Sequence, residues 1–167
     1  MVASTPVSAT SDSPGRTRAI GAALARHLRP GDVVLLSGEL GAGKTVLVQG
    51  IAAGLGVAEP ATSPTFALLH EHQGTELRLL HADAWRLALP AEAVDLALAQ
   101  EVDDGCTTLV VEWGELAAAA LPGDHLRIVL GPGRGDDDRT VELRLEGPSW
   151  ESRGKALLAA VLPESST

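Results

Sequence analysis

Residues 38–45 read Gly-Glu-Leu-Gly-Ala-Gly-Lys-Thr and fill every defined position of the pattern G-x-x-x-x-G-K-[ST]. This pattern constrains a fold strongly, because it cradles phosphate only when it joins a strand to a helix. The flanks comply. Residues 32–37, Asp-Val-Val-Leu-Leu-Ser, form a short, nearly all-apolar run of the kind found in strands buried on both faces of a parallel sheet. Residues 44–55 predict a helix that stops at Gly54 and Gly56. In such a loop, glycines let the backbone curl until successive N–H groups point inward at phosphate oxygens. The helix N-terminus adds free donors and a favourable dipole. Lys44 is one of two lysines in the chain, the other being Lys155. Its ammonium is expected to reach the β and γ phosphates of a nucleotide, and the Thr45 hydroxyl to ligate Mg²⁺.

The remaining elements extend this start. Residues 17–28 set Ile20, Leu24 and Leu28 at helical spacing before Pro30-Gly31. Two extended runs, 65–72 and 76–82, flank Gln73-Gly74-Thr75 and predict a hairpin. A helix begins at Pro90. Residues 107–111, Thr-Thr-Leu-Val-Val, are a second buried-strand candidate, and residues 115–120 a short helix closed by Pro122-Gly123. Residues 125–130 and 140–145 predict paired strands around a polar loop at 131–138, and residues 150–162 a final helix. The Ser-, Thr-, Ala- and Pro-rich residues 1–14 read as a disordered tail, 15–162 as a single domain and 163–167 as a C-terminal tail. The alternation predicts an α/β, three-layer P-loop NTPase fold with a mixed, mostly parallel central sheet.

Composition limits the partners. The chain has 167 residues and a net charge of −9, so it repels a phosphate backbone and strong independent nucleic-acid binding is not expected. With three Trp, one Phe and no Tyr, the core must be built from Ala, Leu and Val. The single cysteine, Cys106, forbids an intramolecular disulfide, suits a reducing cytoplasm, and reads as a small buried apolar residue. No signal-peptide pattern is evident, and no apolar stretch reaches the roughly 18–20 residues that span a bilayer. A soluble cytoplasmic protein without a membrane role is expected.

A phosphate-binding loop of this kind needs a carboxylate at the end of a neighbouring strand, to hold the metal or orient the attacking water. Glu112 follows Leu-Val-Val, and Asp83 follows Leu79-Leu80-His81-Ala82, so both belong at the sheet's carboxyl edge, where ligands of open α/β sheets bind. Either alone could be an ordinary solvated acid. Beside the loop, one of them is functional, and the residues leave open which ligates and which orients water. Thr65, in Ser63-Pro64-Thr65-Phe66, reads equally as a γ-phosphate sensor or as a residue after a Ser-Pro turn. His70, His72 and His81 lack zinc-motif spacing, and His81 reads as a packed or hydrogen-bonded histidine, so no metal beyond Mg²⁺ is assigned.

GELGAGKT at 38–45, SPTF at 63–66, HADAWRL at 81–87 and VEW at 111–113 together resemble, in order and spacing, the bacterial TsaE family. That family is the small ATPase of tRNA threonylcarbamoyladenosine (t6A) biosynthesis. The loop alone is widely shared; the later motifs are far more specific, and the resemblance covers residues 17–139. It implies that Gly41, Ala42, Gly43, Lys44, Thr45 and Val46 wrap the phosphates of ATP. Thr45 and Glu112 would hold Mg²⁺, with Asp83 helping at the metal or in hydrolysis, so Lys44, Asp83 and Glu112 form the implied catalytic set. Thr17 matches a family threonine near the nucleotide, Trp113 and Glu115 would line the pocket, and Arg139 matches a basic residue after the last loop. Ala82, Trp85 and Gly114 depart from the family's usual Phe, Tyr and Pro. The implied partners are TsaB-like and TsaD-like proteins, through which the chain meets tRNA indirectly. An arginine finger can add about 10³–10⁵ in rate. Arg86, Arg134 and Arg139 are the candidates in cis, none obviously placed, so weak hydrolysis alone and activation by the partners are expected.

Two other readings remain. A P-loop kinase for a small metabolite would carry a lid with several arginines, yet residues 87–104 contain no Arg or Lys. A nucleotide-sensing interaction module would bind ATP while barely cleaving it. No N-K-x-D segment for guanine is present, which favours ATP.

Overall fold

The structure is a computed structural model that describes residues 5–59, 61, 69–84, 102–113 and 124–162. In chain order these residues form β1 (Val7–Ser11), α1 (Pro14–Ala25), β2 (Val33–Ser37), α2 (Lys44–Gly54), β3 (Leu69–Gln73) and β4 (Arg78–Asp83). There follow β5 (Thr107–Glu112), β6 (His125–Pro132), β7 (Arg139–Glu146) and α3 (Pro148–Val161). The strands make one sheet in the order β1-β7-β6-β2-β5-β4-β3. Its middle, β6-β2-β5-β4, is parallel, while β3, β7 and β1 join antiparallel at the two edges. The expected mixed α/β fold, mostly parallel in the middle, is what forms.

The apolar runs explain the centre. Residues 33–36 and 107–112 are buried throughout, as strands covered on both faces must be. Strand side chains alternate between faces, so each run feeds two cores. Val34, Leu36, Leu79, Val110 and Ile128 pack with Ile20, Leu47 and Ile51 on the face that carries the helices. Val33, Leu35, Leu80, Ala82, Leu109 and Val111 form the core of the opposite face. Each fully buried Leu, Ile or Val contributes roughly 1.5–3 kcal/mol of transfer free energy.

Helix α2 is held down by close backbone approach to α1. A Cβ at Gly21 would collide with the Leu47 carbonyl, and one at Gly50 with the Arg18 carbonyl. These two glycines seat α1 on α2 and thereby fix where α2 begins. At the other end of β2, Arg153 of α3 grips Asp32 with both terminal nitrogens, at 2.9 and 2.7 Å, and stacks over the buried Trp150 ring at 4.1 Å.

Several expectations are corrected. Residues 1–14 are not wholly a disordered tail, because Val7–Ser11 forms β1 and pairs antiparallel with β7. Its Ser/Thr/Ala composition signals no strand by itself; the hydrogen bonds come from a partner more than a hundred residues away. Helix α1 starts at Pro14, with the Ser13 side chain capping the Arg16 amide, three residues before the expected start at Thr17. It ends at Ala25, and residues 26–28 continue as a tightened turn. Strand β5 runs through Glu112, so that acid is the strand's last residue. Cys106 is exposed, in the turn before β5, where its amide donates to Asp104 Oδ1 at 2.9 Å. The hairpin of β3 and β4 and the pairing of β6 with β7 are as expected. The expected helices at 90 onward and at 115–120, and the C-terminal tail at 163–167, lie outside the described residues.

Candidate functional site

Strand β2 ends at Ser37 and α2 opens at Lys44, so residues 38–43 must reverse direction within one short loop. Gly41 and Gly43 take φ values of 81° and 102°, in the left-handed region where other residues are strained by roughly 1–2 kcal/mol. Gly43 is also the N-cap of α2 and supplies no side chain to cap it. The first amides of α2 therefore lack partners within the helix. The loop is braced from outside. Arg139, the first residue of β7, donates from Nε to the Ala42 carbonyl at 3.1 Å and from a terminal nitrogen to the Gly41 carbonyl at 3.2 Å. Its other terminal nitrogen donates to the carbonyls of Asp136 and Asp138, each at 2.7 Å.

Lys44 is only 7% exposed. Its ammonium donates to the carbonyls of Gly38 at 2.6 Å and Glu39 at 2.8 Å, and lies 4.2 Å from the centre of the Trp113 ring. Trp113 itself has φ 59°, the one described non-glycine residue in left-handed backbone. That strain, about 1–3 kcal/mol, sets the indole over the lysine directly after the strand that carries Glu112.

The alternation of β5 decides where Glu112 goes. Val110 packs on the helix-bearing face and Val111 on the other, so Glu112 returns to the face of α2. There the Thr45 hydroxyl donates to Glu112 Oε1 at 3.0 Å. Asp83 is opposite Glu112 across the β4–β5 pair, and the Ala84 amide donates to the Glu112 carbonyl at 3.0 Å, tying the two strand ends together. His81, two residues before Asp83 and on the same face, is fully buried, with Nε2 3.6 Å from Glu112 Oε2. Asp83 and Glu112 are themselves buried, at 5% and 3% exposure. Burial pushes the Glu112 carboxyl up, but the neighbouring His81 imidazole, the Thr45 hydroxyl and the Lys44 ammonium outweigh it and hold the group below its ordinary value. Glu112 is thus kept ionised in a nearly dry setting, as a metal ligand or proton acceptor requires.

The site therefore brings together Gly41, Ala42, Gly43, Lys44, Thr45, Asp83, Glu112, Trp113 and Arg139, with Val46 half-buried in the first turn of α2. Thr17 is buried, and its hydroxyl lies 2.8 Å from Ser11 Oγ and donates to the Ser13 carbonyl at 3.3 Å, which knits β1 to the start of α1. Glu115, Thr65 and Arg86 lie outside the described residues. His81, expected as a packed or hydrogen-bonded histidine, is buried and stands against Glu112, a neighbour that its residue type alone does not name. The available signal was the period of two: residues 79, 81 and 83 share one face of β4, and residue 83 is opposite 112.

A family model described as "Threonylcarbamoyl adenosine biosynthesis protein TsaE" matches residues 11–141. The Streptomyces coelicolor tRNA threonylcarbamoyladenosine biosynthesis protein TsaE is 40% identical over 148 residues, covering 85% of this chain and 99% of that protein. The Bacillus subtilis protein of the same name is 38% identical over 139 residues, covering 83% and 85%. Among solved structures, Bacillus subtilis YdiB superposes with a TM-score of 0.73 at 32% identity, over 92% of this chain and 94% of that one.

Proposed function

The chain belongs to the TsaE family of threonylcarbamoyladenosine biosynthesis proteins, and on that premise we propose that it is the magnesium-dependent ATP-binding and ATP-hydrolysing component of the tRNA t6A machinery. It acts in the cytoplasm, is weakly active alone, and works with TsaB-like and TsaD-like partners through which it meets tRNA. The observation that carries the reading is the 3.0 Å hydrogen bond between Thr45 and Glu112, which joins the phosphate loop to a strand-end acid 67 residues away.

The donor set fits magnesium. A hydroxyl and a carboxylate are hard oxygen ligands, and two of them leave room for the waters and phosphate oxygens that magnesium keeps. When bound, that ion neutralises charge on the β and γ phosphates. The chain's own residues do the rest. The loop amides and the Lys44 ammonium, now engaged by the Gly38 and Glu39 carbonyls, grip the phosphate oxygens. Glu112 holds the Thr45 hydroxyl in place, and Asp83, opposite it in the next strand, would orient a water and accept its proton. Arg139 spends its donors on loop carbonyls, so it braces the cradle rather than reaching into it. With Arg139 committed, a partner-supplied cation accounts best for full activity.

Calorimetry with ATP and with ADP, each with and without magnesium, tests the binding step. Magnesium-dependent heat is expected, and Lys44→Ala should weaken it about ten- to a hundredfold, the range of charge-assisted hydrogen bonds. No such heat with either nucleotide overturns the reading. Phosphate release should be slow for the chain alone and rise when the partners are added; equal rates remove the partner claim, and a phosphorylated metabolite instead of free phosphate identifies a kinase.

A further inference from the structure

Charge is distributed very unevenly along this chain. Between residues 14 and 31 stand Arg16, Arg18, Arg26 and Arg29 with no acid at all, in a protein whose net charge is −9. Two of these arginines meet α3 at the amino edge of β2, the opposite end of that strand from the phosphate loop. There Arg26, His27, Arg29, Ser152, Arg153 and Ala156 line a cavity of about 280 Å³. Arg153 is its fixed wall, because its two terminal nitrogens are held by Asp32 and by the His27 carbonyl at 2.9 Å. Arg26 and Arg29 are exposed, and their guanidinium groups make no hydrogen bond or ion pair among the described residues. The acid of α3 is Glu151, which is exposed and too little to offset them.

We propose that this cavity is a docking site for an acidic protein surface, receiving Asp or Glu side chains between Arg26 and Arg29. Guanidinium forks match carboxylates in bidentate geometry. Three features favour a protein over a nucleic acid. The overall negative charge repels a long polyanion, whereas a docked carboxylate responds to the guanidinium groups within about one Debye length, roughly 8 Å in physiological salt. The neighbouring rings offer little for base stacking, since Trp150 is buried at 1% exposure and His27 is half-buried. The cavity also holds a side chain or two rather than tracking a backbone as a strand-binding groove does. The proposal is independent of the nucleotide reading, which concerns the other end of β2, so each can fail alone.

The test uses the full chain, a short dye-labelled polyglutamate peptide, and a labelled single-stranded oligonucleotide of equal charge, followed by fluorescence anisotropy over a salt series. The peptide should bind, lose affinity as salt rises, and bind the Arg26→Glu/Arg29→Glu variant about tenfold or more weakly. The neutral Arg26→Gln/Arg29→Gln variant should fall between the two. Both variants should keep the thermal midpoint and the magnesium-nucleotide heat of the parent. Peptide affinity that is absent in the parent or unchanged in both variants overturns the proposal. Tighter binding of the oligonucleotide than of the peptide also overturns it, in favour of a nucleic-acid contact.

Discussion

Strand β2 has a buried ionic cluster at each end, and the two are built differently. At its amino end, Asp32 and Arg153 close on each other. Both carboxylate oxygens and both terminal guanidinium nitrogens are bonded, the Arg29 amide donates to Asp32 at 2.7 Å, and Trp150 seals one side. At its carboxyl end, Lys44, Thr45, Glu112, Asp83 and His81 crowd together through single contacts, Thr45 on Glu112 and His81 at 3.6 Å from the same acid. Among the described residues, the buried His81 has neither ring nitrogen within hydrogen-bond distance of a partner, and Lys44 donates to loop carbonyls. A satisfied pair rigidifies, because each charge already has its full complement of partners. A cluster whose members meet only in part, set beside the first amides of a helix, is the kind of place where a ligand can add contacts. The difference separates architecture from site more clearly than burial does, since both clusters are buried.

The largest expected effect attacks the closed end. Arg153→Ala strands Asp32 in a buried setting and should cost about 3–5 kcal/mol of stability, lowering the melting midpoint by about 10 °C. Nucleotide affinity of the folded protein should not change. Loss of affinity with little loss of stability would erase the contrast between the ends. Next in size is Arg139→Ala, which removes the brace under the Gly41 and Ala42 carbonyls. Nucleotide affinity by calorimetry should fall by about 1 kcal/mol, roughly fivefold, with the melting midpoint nearly unmoved. A large drop in midpoint would place Arg139 with the closed end instead.

The smallest effect is the acid branch of the stability profile. Glu112 is held below its ordinary value of 4.5 in the fold, so the unfolded chain binds its proton more readily than the native one. Its stabilising contribution is therefore complete above that value and is lost as pH falls through the lower native value. Denaturant midpoints measured from neutral pH into acid should fall less steeply for Glu112→Gln than for the parent. Identical slopes would mean that the open cluster does not favour the ionised acid.

Parts of both ends were legible in the residues. The glycine-rich loop could be read from residues 38–45 because its pattern is set by local backbone geometry and by side chains adjacent in sequence. The runs before it and at 107–111 could be read as central parallel strands, because burial on both faces leaves an unbroken apolar signature. Glu112 and Asp83 were recognisable as strand-end acids, but not which of them meets Thr45. That follows from register: β5 lies beside β2 while β4 lies one strand further out. Strand β1 leaves no mark in the residues, because an edge strand is specified by its partner, here residues 139–143, and little by its own composition. Local pattern places Arg153 in a final helix and no further, since its pairing with Asp32 spans 121 residues.

The sequence by itself determined the glycine-rich loop, the α/β class and the strand-end acids near it, since each depends on neighbours within a few residues or on a repeating apolar pattern. Tertiary structure alone decided that Glu112 bonds Thr45, that His81 stands behind it, that Arg139 braces the loop, and that Thr17 belongs to the joint of β1 and α1. The physical reason is that these contacts depend on strand order and face alternation, which bring together groups that no local rule relates.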